Sequence, residues 1–253
     1  MHILVTNDDG VLAPGLLALA QEMRKLGQVT VLAPDRNWSA SGHVKTMERP
    51  LRVKEVKLAD GTSALASDGA PSDCVALALL GVVTEKIDLV VSGINPNANI
   101  GHDVTYSGTV TAAMEAVITK VNGIAVSLDS PFGHGELEYG PAARVGARVA
   151  ARVLADGLPR GVLLNVNVPY LSDEQIRGTM LTRQGLRVYR DALDKRIDPR
   201  GRPYYWIGGD APTGIEEDGT DYGALKAGYV SITPLQLDLT AREALRNLRK
   251  WEW

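Results

Sequence analysis

Apolar positions along the chain fall into short blocks whose spacing alternates between two periods. Residues 2–6 form a β-branched apolar run, 15–26 repeat apolar residues at helical spacing and stop before Gly27, and 29–33 are apolar again. This pattern predicts a βαβ unit. Residues 87–91 and 124–128 are further apolar runs, and 71–80 and 109–121 have helical spacing. A helix around 142–154 then leads to a strand at 161–168. Strands alternating with helices predict an α/β fold with a doubly wound, mostly parallel sheet.

Beyond Pro169 the texture changes to short strand-like pieces separated by Gly and Pro turns, with strand candidates at 186–189, 204–207 and 229–232. Alternation there is weak, and nothing in the sequence covers these pieces. The chain therefore divides into a core, 1–169, and a strand-rich extension, 170–253, expected to pack on another subunit. The last helix, 241–251, carries Leu245, Leu248 and Trp251 on one face.

Composition narrows the function. The 253 residues are 45% hydrophobic and 23% charged, which fits a folded globular protein and excludes disordered and fibrous classes. A net charge of -3 with both signs mixed argues against binding to a nucleic-acid duplex or an anionic membrane, and favours a small substrate. Cys74 is the single cysteine, so neither an intrachain disulfide nor a Cys-rich zinc site can form. The N-terminus has no basic leader, and no apolar run is long enough to span a bilayer, so the expected location is cytoplasmic.

In parallel α/β sheets ligands sit outside the carboxyl ends of the strands, so the polar residues after each apolar run carry the chemistry. The first run ends in Asn7-Asp8-Asp9-Gly10. Two adjacent carboxylates repel unless a cation separates them, and with no Cys or His cluster beside them that cation is a hard divalent metal, Mg²⁺ or Mn²⁺. Turn chemistry alone is the competing explanation, since Asn, Asp and Gly all favour turns.

The second run leads into a small-residue loop, 34–42, where Ser39 can offer a neutral oxygen to the metal and Ser41 and Gly42 are phosphate-binding candidates. The third leads into Asn95, Asn97 and Asn99. Amide oxygens suit a hard metal and amide N–H groups suit phosphate, which makes Asn95, nearest the strand, a metal ligand and Asn99 a phosphate contact. Asx turns compete for Asn97 and Asn99. That loop ends in Ser107-Gly108-Thr109 at a helix start, where free N–H groups, the dipole and two hydroxyls favour an anion, and where ordinary capping is compatible with it. A metal site and an anion site at one sheet edge predict phosphate chemistry.

These residues resemble the SurE family of stationary-phase survival proteins, metal-dependent nucleotidases and acid phosphatases. The likeness rests on Ile3-Leu4-Val5-Thr6-Asn7-Asp8-Asp9-Gly10, Ala33-Pro34-Asp35 with Ser39, the block Asp68 to Val75, Val90-Val91-Ser92-Gly93-Ile94-Asn95, the block Tyr106 to Val110, Asn165-Val166-Asn167-Val168-Pro169 and Ser231-Ile232-Thr233-Pro234-Leu235. The resemblance implies that Asp8, Asp9, Ser39 and Asn95 hold one divalent ion per subunit and that Ser107, Gly108 and Thr109 contact phosphate. It also implies a Rossmann-like core, an extension exchanged between subunits, and a homodimer or homotetramer. Asn97 stands where the family usually has glycine, and Ala70 where it has threonine.

The expected reaction is hydrolysis of nucleoside 5′-monophosphates, with 3′-monophosphates second, by in-line attack of water, with Asp8 and Asn95 as catalytic groups. A haloacid-dehalogenase-type phosphatase needs an Asp-x-Asp pattern absent here. A metal-dependent deacetylase would want histidines near the aspartates, whereas His2, His43, His102 and His134 are scattered. A non-catalytic nucleotide sensor would share the same site residues.

Overall fold

The computed structural model describes residues 1–130 and 136–252, so His134 lies outside the described residues. In chain order the elements are β1 (His2–Thr6), α1 (Pro14–Met23), β2 (Gln28–Pro34), β3 (Val53–Lys57), β4 (Ser63–Ser67), α2 (Pro71–Leu77), β5 (Leu89–Asn95), α3 (Gly108–Ile118), β6 (Asn122–Asp129), α4 (Gly140–Asp156) and β7 (Val162–Pro169). There follow β8 (Thr179–Leu181), β9 (Arg187–Val188), β10 (Asp191–Ile197), β11 (Pro203–Gly209), β12 (Thr213–Gly214), α5 (Asp221–Lys226), β13 (Val230–Gln236) and α6 (Arg242–Leu248).

Nine strands form one sheet in the order β3-β4-β2-β1-β5-β6-β7-β13-β8. Strands β4, β2, β1, β5, β6 and β7 run parallel, as the alternating pattern predicts, while β3 and β13 pair antiparallel at either flank. Strand alternation sends Ile3 and Val5 to one face and Leu4 to the other. On the first face α1 and α4 bring Leu16, Leu19, Met23, Val145 and Val153 against Ile3, Val5 and Val126. On the second, α2 and α3 bring Cys74, Val75, Ala112 and Ala116 against Leu4, Leu32 and Val90. Full burial of a side chain such as Leu16 or Leu19 contributes about 1.5–3 kcal/mol.

The sheet winds outward in both directions from β1, whose neighbours are β2 and β5. That reversal opens a crevice beyond the carboxyl ends of β1 and β5, the place where such sheets bind ligands.

Three departures from the sequence reading have physical causes. The helix expected over 71–80 is regular only to Leu77 and ends in a wide turn, Ala78–Val82, where Gly81 takes a positive φ of 124°. The flank β3–β4 has the sequences Val-Lys-Glu-Val-Lys and Ser-Ala-Leu-Ala-Ser, too poor in large apolar residues to announce a strand, although β4 is largely buried between β2 and the exposed edge strand β3. Strand β13, from the far side of Pro169, returns to pair with β7, so the main sheet continues into the extension. Among the described residues no helix is long and apolar enough to cross a membrane.

Candidate metal and phosphate site

Strand β1 is buried throughout and delivers its chain directly into Asn7, Asp8 and Asp9. Asn7 makes the turn rather than a ligand contact: its side-chain amide donates to the Gly10 carbonyl at 3.0 Å and its amide oxygen accepts the Gly10 N–H at 3.2 Å. Gly10 sits at φ 109°, a backbone conformation that disfavours any side chain. The turn exists to place the two carboxylates that precede it.

Asp8 is 3% exposed. The Thr109 hydroxyl donates to its Oδ1 at 2.6 Å, and the Gly108 and Thr109 backbone amides also favour its charged form. Burial outweighs these contacts and pushes the Asp8 carboxyl above its ordinary value. Burial, followed by the charge of Asp8, pushes Asp9 up to about 7. Two neighbouring carboxyls suit a shared cation, whose charge would favour the ionised form of both. Among the described residues no three His, Cys, Asp or Glu side chains cluster to hold a metal, so any further donors at this pair are neutral oxygens.

Neutral-oxygen candidates follow the two flanking strands, β2 and β5. The loop after β2 is fastened to the site by the Trp38 N–H, which donates to the Asp8 carbonyl at 2.7 Å, so the next residue, Ser39, starts beside the aspartate pair. Ser39 is exposed, and its N–H is taken by the Asn37 side chain at 2.7 Å. Asn95 ends β5 at a register shift between Gly93 and Asn95, a local irregularity of the kind that re-aims a side chain. Its amide nitrogen donates to the Asn97 carbonyl at 2.5 Å, which leaves the amide oxygen for a metal. An all-oxygen set of Asp8, Asp9, Ser39 and Asn95 fits Mg²⁺ or Mn²⁺.

The phosphate candidates divide. Ser41 has a buried hydroxyl with no partner among the described residues, an orphan suited to an incoming oxygen. The Gly42 N–H donates to the Tyr106 carbonyl at 2.9 Å, and the Gly42 carbonyl accepts the Thr111 hydroxyl, so this loop is tied to the start of α3. Ser107 caps α3, accepting the Val110 N–H at 3.1 Å. Thr109 spends its hydroxyl proton on Asp8. Asn99 is buried, with its amide nitrogen donating to Ser127 at 2.9 Å, its N–H held by Asn167 and its carbonyl held by Asn165 and Asn167. Its side chain belongs to a buried amide network beneath the loop.

The sequence reading missed two contributors. Glu115 of α3 accepts from Lys45 at 2.5 Å and from His43 at 3.2 Å, fixing the far end of the Ser39 loop. Asp73 at the start of α2 accepts the Thr46 N–H at 3.0 Å and the Thr46 hydroxyl at 2.6 Å. No short motif signals contacts between residues 70 and 72 positions apart. His2 bonds to Thr30 at the opposite end of β1 and His43 faces Glu115, so neither of these two serves the aspartates.

Comparison with known proteins gives one consistent result. The family profile described as "Survival protein SurE" matches residues 3–191. The chain is similar to the 5′-nucleotidase SurE of Herpetosiphon aurantiacus, 54% identical over 253 residues that cover all of this chain and 99% of the relative. It is also similar to the 5′-nucleotidase SurE of Chloroflexus aggregans, 51% identical with both chains covered in full. Among solved structures, the SurE protein from Aquifex aeolicus superposes with a TM-score of 0.82 at 41% identity, covering 98% of each chain.

Proposed function

The chain belongs to the SurE family and is a metal-dependent nucleotide phosphomonoesterase, a 5′-nucleotidase, and from that premise we propose how its own residues do the work. Asp8, Asp9, Ser39 and Asn95 hold one Mg²⁺ or Mn²⁺ per subunit. The substrate is a nucleoside 5′-monophosphate, with 3′-monophosphates accepted second. The observation that carries this assignment is the buried Asp8–Asp9 pair, both carboxyls raised by burial at the crevice between β1 and β5.

A divalent ion held by Asp8, Asp9, Ser39 and Asn95 would supply Lewis-acid polarisation and charge compensation to phosphate-ester hydrolysis by water. Asp8 orients the attacking water. Its Thr109 hydrogen bond holds the Asp8 carboxylate in one orientation. Asn95 steadies the reacting phosphate from the β5 side. The Ser41 hydroxyl, unpartnered among the described residues, and the Ser107 hydroxyl supply the remaining oxygens with donors, while Gly42, Gly108 and Thr109 hold the loop and the helix start in place around them. Asn99 acts one layer further away, by holding the loop that carries Asn95.

The extension, 170–253, is shared between subunits of a homodimer or homotetramer. Support comes from β10 and β11, every residue of which is exposed, including Leu193, Ile197, Trp206 and Ile207, and from α6, which buries none of its residues. The expected location is the cytoplasm.

A phosphate-release screen over 5′- and 3′-mononucleotides, run on chelator-treated protein with each divalent metal added back, tests the assignment. Activity with 5′-mononucleotides that vanishes on chelation and returns with Mn²⁺ or Mg²⁺ is expected. Full turnover in metal-free protein would overturn it.

A further inference from the structure

Next to the Asn95 loop lies a cavity of about 520 Å³ whose wall includes Asn97, Asp129, Tyr170, Thr213, Tyr222 and Lys226. We infer that this cavity is the nucleoside subsite, and that the Asp129 carboxylate in it receives a hydrogen-bond-donating edge of the nucleoside; the inference rests on the nucleotidase reading above.

The sheet places Asp129 where a mononucleotide would reach. Asn95 stands opposite Ser127 in the β5–β6 register, so Asp129, two residues further on, projects past it at the same carboxyl edge. Strand β6 is two strands from β1, a separation of about 9–10 Å at the usual strand spacing. That distance is comparable to the length of a mononucleotide whose phosphate lies at Asp8 and Asp9. Asn97 and Ala98, two and three residues beyond Asn95, line the cavity.

The chemistry of the wall selects what enters. Asp129 is partly buried and makes no hydrogen bond among the described residues. Burial raises its carboxyl above the ordinary value, against the opposing pull of Lys226 and Arg187. Neither cation pairs with it: Arg187 is committed to Asp103 at 2.8 Å, and the Lys226 ammonium lies over the Tyr222 ring at 5.2 Å. A desolvated acceptor without a donor is costly, and a ligand that supplies an N–H or O–H relieves it. A ribose offers hydroxyl donors and a base offers ring or exocyclic N–H donors, while Pro169, Leu171 and Pro212 supply the apolar surface on which a base can lie.

The test compares wild type, Asp129→Asn and Thr213→Trp as full-length, metal-loaded proteins. Hydrolysis of nucleoside 5′-monophosphates is measured beside that of phenyl phosphate, which carries no nucleoside, and free nucleosides are titrated as inhibitors of phenyl phosphate hydrolysis. Asp129→Asn should lower the ratio of kcat/KM for nucleotide to that for phenyl phosphate by about tenfold, and raise the nucleoside inhibition constant similarly, as expected for one lost hydrogen bond to a charged group. Thr213→Trp, which fills the cavity from the extension side without touching the carboxylate, should lower the same ratio. Selectivity against 2′- or 3′-deoxynucleotides that disappears in Asp129→Asn assigns the donor to the ribose. Selectivity among bases that disappears assigns it to the base. Equal losses on both substrates, or nucleosides that inhibit wild type and Asp129→Asn alike, would overturn the subsite. Wild type that cleaves phenyl phosphate but no nucleotide would instead overturn the nucleotidase reading, a separate outcome.

Discussion

At Gly108 an added Cβ would stand 2.7 Å from the Asp8 Cβ and 2.9 Å from its Oδ2, so the helix start and the aspartate are packed against each other with nothing to spare. Gly108→Ala should therefore displace Asp8 and weaken metal binding. Thr109→Val, which deletes the hydrogen bond to Asp8, should weaken it by about 1.5–3 kcal/mol, whereas Ser107→Ala should affect kcat/KM and leave the metal alone. Calorimetric metal titrations of the three variants check this, and equal effects from Ser107→Ala and Thr109→Val would refute the division. Titration gives a second expectation at this scale. Asp9 is raised from 3.8 to about 7 and Asp8 is raised in the same direction, so the folded metal-free protein holds protons that the unfolded chain releases. That contribution to stability is present below the ordinary carboxyl range and is lost as pH rises through about 7. In chelator, Tm should fall between about pH 5 and about pH 8, and Mn²⁺ should restore more at the higher pH; a Tm in chelator that rises over the same interval would contradict it. The Asp8–Asp9 pair was legible in the sequence because a strand end announces it. The preference of Thr109 for Asp8 was not, since a helix start looks the same whether an aspartate or a phosphate faces it.

The Ser39 loop is a strap closed at four points: Trp38 on Asp8, Gly42 on Tyr106, Lys45 and His43 on Glu115, and Thr46 on Asp73. Its far end is set by helices α2 and α3, so those helices position the proposed ligand Ser39 without carrying it. Interaction with His43, then with Lys45, holds the Glu115 carboxyl below its ordinary value. Glu115→Gln should leave the strap looser and raise the metal Kd by about three- to fivefold, the scale of a partly exposed ion pair. An unchanged metal Kd together with an unchanged KM would show that Ser39 needs no such support. Most core strands and helices were readable from apolar spacing because each buries a face. The strap was not, because its closures join residues between 27 and 72 positions apart in a stretch rich in polar side chains.

Across the molecule, β7 does not end the sheet: β13 covers its edge and β8 covers β13. Cutting the chain after Pro169 would uncover the β7 edge along the whole register from Val162 to Asn167, a template for pairing with other chains. The truncated protein should be recovered as aggregate, and a soluble, metal-binding 1–169 fragment would show that the extension is dispensable to the core. The sequence marked a change of texture at 169 and a strand candidate at 229–232, but the alternation of Val-Ser-Ile-Thr does not say which sheet edge that strand returns to.

The ribbon formed by β10 and β11 stands out from this body, paired residue for residue from Asp191–Gly209 to Ile197–Pro203 with both faces open. A two-stranded ribbon without a covering layer is marginally stable in water. It is therefore the segment a protease should reach first, with Lys195 and Arg196 on one strand as tryptic sites. If subunits bury the ribbon against one another, the cleavage rate becomes a gauge of assembly: it should fall steeply as protein concentration rises, while the sites on the rest of the surface are cut at a rate per molecule that dilution does not change.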